Sequence, residues 1–163
     1  MKKIGLLSDT HAYWDDKYIQ YFSECDEIWH AGDIGNDDII KRLEKLKPVR
    51  AVYGNIDSHN LRLIYPEIFR FKIEEVEVLM THIGGYPGKY DSKILRELYA
   101  GAPKLFVCGH SHILKVMYDK RFDMLCVNPG AAGKYGFHQV RTLIRFEIDK
   151  SDIKNMEIIE LKG

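Results

Sequence analysis

Seven side chains with metal-binding chemistry recur at one kind of place along this chain, just past a short apolar run. Asp9 and His11 follow IGLLS, Asp33 follows EIWHAG, Asn55 follows VRAVYG, His82 follows VEVLMT, and His110 and His112 follow LFVCG. Carboxylate and amide oxygens with imidazole nitrogens are hard and borderline donors. A set without thiolates suits Mn²⁺, Fe, Zn²⁺ or Mg²⁺ in a site that activates water, rather than a closed structural zinc cage. Asp9 and His11 lie two apart at a strand-to-loop exit, so both can reach one ion, and His110 and His112 repeat that spacing. A carboxylate such as Asp33 has two oxygens and can bridge two cations, while Asn55 adds a neutral carbonyl that keeps the charge of the site low. Two ions about 3.5–4 Å apart can hold a bridging hydroxide and clamp the oxygens of an in-line displacement at phosphorus.

Such donors need elements that deliver them to one edge. Buried strands of an open α/β sheet present ligands beyond their carboxyl ends, so five strand ends account for all seven. The pattern predicts strands at 3–8, 27–31 and 49–53, with helices at 15–24 (Tyr18, Ile19 and Phe22 inward) and 37–46 (capped by Asn36 or Asp37, stopped by Pro48) between them. This βαβαβ start implies parallel pairing. Further on it predicts a hairpin of 69–73 and 76–81 turning at Glu74-Glu75, a glycine-rich loop GGYPGKY, and a helix over 92–100. Strands follow at 105–108, 114–118 and 122–127, with an antiparallel pair at 142–148 and 154–161. The weight of strand in the second half suggests a second sheet packed on the first, with helices outside both.

Composition narrows the class. A chain of 163 residues with 45% hydrophobic side chains suits a single domain, 1–163, able to bury roughly 68–70% of its unfolded surface. With 24 basic and 24 acidic residues it has no net field and no nucleic-acid-binding patch. Its longest apolar runs are too short for a signal peptide or a membrane span. Three cysteines without CxxC spacing fit a reduced, cytoplasmic protein. Short edge strands near the C-terminus offer a route to a homo-oligomer.

Taken in order, Asp9-x-His11, Gly32-Asp33, Gly54-Asn55-x-Asp57, His82 and Gly109-His110-Ser111-His112 resemble the motifs of the calcineurin-like metallophosphoesterases, most nearly the small single-domain phosphodiesterases of the YfcE type, whose NPGS is similar to Asn128-Pro129-Gly130-Ala131 here. The resemblance spans residues 4 to about 131. It implies an α/β fold, a four-layer α/β/β/α sandwich of two mixed sheets. It implies two divalent metal ions, Mn²⁺ foremost, with Fe, Zn²⁺, Ni²⁺ or Mg²⁺ as alternatives, and a small phosphate-ester substrate. It puts Asp9, His11, Asp33 and His112 on one ion, and Asp33, Asn55, His82 and His110 on the other, with Asp33, Asn55 and His82 at the catalytic centre. The chain departs from the pattern at Ala12 (usually Gly), at Ile83-Gly84-Gly85 after His82 (usually His-Gly-His), and at Ile56, where many relatives carry a His able to protonate the leaving group. Ile56 cannot do so, which predicts a preference for good leaving groups.

Other residues have two readings. His30 ends a strand as a hydrogen-bonded support, or acts in catalysis; Asp57 orients a ligand. His59 swings toward a leaving group as a catalytic acid, or is a solvated loop residue. His138 lies outside every motif and reads as surface. Tyr13 and Trp14 stack on a substrate ring or pack on the core. A scaffold for protein contacts, like the retromer subunit that shares this fold, is the alternative to an enzyme; retention of all seven donors favours the enzyme.

Overall fold

The computed structural model describes residues 1–162; Gly163, the last residue of the expected domain, lies outside the described residues. Two five-stranded sheets face each other. The first contains β1 (Lys2–Leu7), β2 (Glu27–His30), β3 (Val49–Ala51), β11 (Arg141–Asp149) and β12 (Asp152–Leu161), in the order β12-β11-β1-β2-β3. The second contains β4 (Ile68–Ile73), β5 (Val76–Thr81), β8 (Leu105–Val107), β9 (Leu114–Asp119) and β10 (Met124–Pro129), in the order β4-β5-β8-β10-β9. Strands β1, β2 and β3 run parallel, as do β5, β8 and β10, while β11, β12, β4 and β9 add antiparallel edges. Both sheets are therefore mixed, and the loops that follow β1, β2, β3, β5 and β8 leave the carboxyl ends of parallel strands.

Strand periodicity builds the layers. Ile4 and Leu6 of β1 point into the space between the sheets with Trp29, Val78, Met80, Leu105, Val107 and Phe146. Leu7 and Ile28 point the other way, onto α1 (Lys17–Phe22), α2 (Asp37–Leu46) and Leu61 of α3 (His59–Ile64). Leu79 and Phe106 turn outward onto α4 (Ser92–Ala100) through Ile94 and Leu98. The result is the expected α/β/β/α sandwich. Trp29 ties the two sheets, its ring edge-on to Phe71 at 5.0 Å and to Phe146 at 5.5 Å, pairs worth about 0.5–1.5 kcal/mol each beyond their buried area.

Helix α2 matches its predicted bounds because its ends are coded locally: the Asn36 side chain accepts from the Ile39 N–H, and Asp37 and Asp38 sit in the first turn. Four local readings need correction. Helix α1 is shorter than expected and buries Tyr18 and Phe22, whereas Ile19 is exposed. His59 belongs to no loop; Ser58 caps α3 by accepting from Leu61 N–H, and His59 opens the helix. The glycine-rich segment forms a small hairpin of β6 (Gly85–Tyr86) and β7 (Lys89–Tyr90). The C-terminal edge strand β12 is long, at 10 residues. Among the described residues no helix is long and apolar enough to cross a membrane.

Candidate metal centre

The five loops converge. Side-chain donors of Asp9, His11 and His112 lie within 4.8 Å of one another, as do those of Asp33, His82 and His110. The two groups touch. Asp33 Oδ2 stands 3.2 Å from His82 Nε2 in its own group and 3.4 Å from His11 Nε2 in the other. Asp9 Oδ1 is 3.2 Å from His112 Nε2 and 3.8 Å from both His11 and His82 Nε2. Asn55 joins through its Oδ1, 3.1 Å from His110 Nδ1. All seven donors singled out from the sequence thus meet at one edge of the two sheets.

Each carboxylate gives one oxygen to the protein and one to the cluster. Asp9 Oδ2 accepts from the Ser8 hydroxyl at 2.7 Å and the His110 N–H at 3.1 Å, leaving Oδ1 in the cluster. Asp33 Oδ1 accepts from the Ile56 N–H at 3.1 Å, leaving Oδ2. The chain reaches this arrangement at some cost: Asp9, His11, Asp33, His110 and His112 all have left-handed backbones, with φ between 45° and 71°, each disfavoured by roughly 1–2 kcal/mol in a non-glycine residue. Hydrogen bonds between loops hold them there, from Asp9 N–H to Gly32 O, His11 N–H to Asp33 O, and Gly109 N–H to His82 O. Gly54 is required by closeness, since a Cβ there would lie 2.1 Å from Asp33 Oδ1.

The environment fits cations. Asp9 Oδ1, His11 Nε2 and His82 Nε2 are buried and have no hydrogen-bond partner, an arrangement that is costly unless a ligand completes it. Burial pushes the Asp9 carboxyl up, but His11, His112 and His82 outweigh it and hold Asp9 well below the usual carboxylate range. Burial likewise disfavours charge on Asp33, and His82 and the Ile56 N–H overcome it to lower its pKa. His82 shows the converse: burial pulls it down, yet Asp33 and Asp9 hold it above an ordinary histidine. A divalent cation on the same donors would compete with the proton that Asp33 and Asp9 favour on His82.

Surrounding residues set the imidazole tautomers. His82 Nδ1 lies 2.8 Å from the Ala31 carbonyl, which can only accept, so Nδ1 donates and Nε2 faces the cluster. His112 is oriented by a residue that the sequence did not point to. His138 Nε2 donates to the Gly133 carbonyl at 2.7 Å, so in the neutral ring Nδ1 is the acceptor for His112 Nδ1–H, 3.2 Å away. That leaves His112 Nε2 for the cluster. His138 is therefore half-buried against the site rather than free at the surface, and its loop also stacks Tyr135 on His11 at 4.8 Å. No periodicity or motif marks this loop; only the chain fold brings it over the site. Asn128, by contrast, lies in the NPGA motif, and its Nδ2 donates to Gly109 O and Ser111 Oγ, clamping the loop of His110.

The remaining candidates divide. His30 is a support: buried, with Nε2 3.0 Å from Thr10 Oγ1 and Nδ1 accepting from Gly32 N–H. Asp57 accepts from the N–H groups of Ile34, Gly35 and Gly54, tying the Asp33 loop to the Asn55 loop. His59 is exposed at the head of α3, and among the described residues no hydrogen bond joins it to the cluster. Trp14 packs against the core beside Tyr18, and the half-buried Tyr13 lies under Lys134 and Arg141.

His30 carries a pH prediction. Burial pushes its imidazole down to about 4, against the pull of Asp57, Asp9 and Asp33. The unfolded chain takes up this proton near 6.5, so the His30 contribution to stability is complete above that pH and is lost as pH falls toward 4, about 3 kcal/mol in all. Urea unfolding of the metal-free protein from pH 7 to 4.5 should therefore show a steeper loss than the same series on His30→Gln. Parallel curves would mean that His30 is already protonated in the fold.

A family model for the calcineurin-like phosphoesterase superfamily domain matches residues 1–151. A probable metallophosphoesterase of Methanothermobacter thermautotrophicus is 35% identical over 135 residues, 78% of this chain and 76% of the relative. Among solved structures, an archaeal phosphodiesterase superposes with a TM-score of 0.77 at 24% identity, covering 98% of this chain and 99% of that one. Vps29 of Chaetomium thermophilum does so with a TM-score of 0.78 at 13% identity, covering 99% and 97%. The two structures share the fold; the family match and the archaeal relative reach further, and this chain belongs to the calcineurin-like phosphoesterase superfamily.

Proposed function

We propose that the chain is a metal-dependent phosphodiesterase with two divalent cations, Mn²⁺ foremost. The observation that carries this is the convergence of seven oxygen and nitrogen donors at one edge of the two sheets, where three buried donor atoms have no hydrogen-bond partner. When bound, the cations supply Lewis acidity at the phosphoryl oxygens and a water activated as the nucleophile. Asp9, His11, Asp33 and His112 would hold one, and Asp33, Asn55, His82 and His110 the other, with Asp33 common to both.

The residues of the chain do the rest by placement. Ser8 and the His110 N–H fix the plane of Asp9; the Ile56 N–H fixes Asp33; Ala31 and His138 fix the faces that His82 and His112 present. No acid stands at the position after Asn55, where Ile56 exposes an alkyl side chain. The leaving oxygen must then depart without a proton from that side, so rate should depend on its basicity.

The test uses metal-stripped protein restored with Mn²⁺, Ni²⁺, Zn²⁺ or Mg²⁺ and a series of aryl methyl phosphates differing in leaving-group pKa. We expect Mn²⁺ to restore turnover and the rate to fall steeply as the leaving group becomes more basic. His59→Ala should give the same slope. A flat dependence would show that an acid has been missed, and a slope that steepens in His59→Ala would identify it.

A further inference from the structure

Two clefts flank the second group of donors. One, of about 340 Å³, is polar; it takes in Asn55 and His82 with Tyr53, Arg62, Glu67 and Lys93. The other, of about 380 Å³, takes in His110 and Ser111 and is mostly apolar, walled by Ile83, Tyr86, Ile113 and Met117 with buried Cys108 and Cys126 beneath. Lys89, Asp91, Lys115 and Asn128 are among its other polar side chains. Ile83 lines both. Both volumes lie in the range of small-molecule sites. A phosphoryl group held between His82 and His110 would thus have a cleft on either side, one polar and one apolar. A monoester has a single arm and would leave one of them unused, whereas a diester has two.

The apolar cleft has no reason in the fold alone. Ile83, Tyr86, Ile113 and Met117 are 41%, 37%, 58% and 39% exposed, although they come from two segments far apart in the chain, 83–86 and 113–117, and surround one hollow. Apolar side chains gathered in a concavity beside polar donors mark a ligand site. At its rim the Lys115 ammonium lies 3.8 Å from the centre of the Tyr86 ring, a cation suited to a substrate that keeps a phosphate charge. The polar cleft is different, because its cations are already engaged: Lys93 pairs with Glu67 at 2.6 Å, and Arg62 donates to the carbonyls of Asp57 and Asn55.

We propose that the apolar cleft binds a flat aromatic arm, an aryl group or a nucleobase, of an unsymmetrical phosphodiester whose second, polar arm lies in the cleft of Asn55 and Arg62. This rests on the phosphodiesterase reading, and its test needs no turnover. Phenylphosphonate and methylphosphonate carry the same phosphoryl group and differ only in the arm. Titrated calorimetrically into Mn²⁺-loaded protein, phenylphosphonate should bind on the order of tenfold or more tightly. The ratio of the two affinities is the readout. In Met117→Asp, and separately in Ile113→Asp, a carboxylate enters the apolar wall and the ratio should fall toward one. Two exposed positions, one just before β9 and one within it, guard against one variant failing to fold. Equal affinities in the unsubstituted protein would overturn the cleft assignment while leaving the phosphodiesterase reading in place. Binding of neither phosphonate would overturn both. Strand β9 is also the edge of its sheet, so light scattering accompanies the titrations. If Met117→Asp changes the mass of the particle and leaves the ratio intact, the apolar wall is a contact between copies of the chain and the proposal fails.

Discussion

Asp33→Asn is expected to lower phosphodiester turnover on the order of 10³-fold or more and to weaken metal binding at both groups of donors, with the fold intact. The reason is the division of labour between the two oxygens. Oδ1 accepts from the Ile56 N–H, and Oδ2 stands between His11 and His82. An asparagine of the same shape has one acceptor and one donor. If its oxygen keeps the bond to Ile56, the amide NH₂ points into the cluster and repels a cation. If the amide is flipped, NH₂ meets the Ile56 N–H and a donor faces a donor. Neither rotamer restores an anionic oxygen in the cluster together with the bond from Ile56. Metal content by mass spectrometry, together with turnover of an aryl phosphodiester, checks both halves. Two ions per chain with undiminished turnover would remove Asp33 from the shared position.

The largest effect on stability should come from a residue that touches no donor of the cluster through its side chain. Asp57 is buried, and its carboxylate accepts three backbone N–H groups, from Ile34 at 3.1 Å, Gly35 at 2.9 Å and Gly54 at 2.8 Å. Asp57→Ala strands all three. An unsatisfied buried donor costs about 1–3 kcal/mol, so a loss of about 3–5 kcal/mol is expected, a large part of the margin of an ordinary domain. Asp57→Asn should fall between, since its carbonyl can still serve Ile34 and Gly54, both of which use Oδ2, while its NH₂ opposes the Gly35 N–H. Because those N–H groups belong to the loops of Asp33 and Asn55, metal affinity should follow the same order: wild type, Asn, Ala. Urea denaturation of the three proteins gives the ranking. An Ala variant within about 1 kcal/mol of wild type would mean that water replaces the carboxylate without strain.

Much of this molecule is written in local pattern. Alternation along β1 and β5 and the stripe of Ile39 and Leu43 on α2 fix which faces are buried, and the caps Asn36 and Asp91 place their helix starts. Where local signals were weak, the reading slipped. Ile19 sits in a helix of only 6 residues, too short for its apolar stripe to be unambiguous. Helix α3 has the same length, and its start depends on Ser58 rather than on a run of apolar residues.

The amino-acid sequence by itself determined the sandwich and the seven donors. Both follow from short-range rules: period-two burial along a strand, and loops that leave parallel strands at one edge. Which atom each donor presents is a different matter. Which oxygen of Asp9 or Asp33 faces the cluster, which nitrogen of His82 or His112 is free, and that His138 supports the latter are decided by contacts between residues far apart in the chain, such as Asp9 with His110 and His82 with Ala31. The two clefts are likewise hollows between loops from different strands. Such contacts have no periodicity to betray them, and only the packing of one sheet on the other brings them into being.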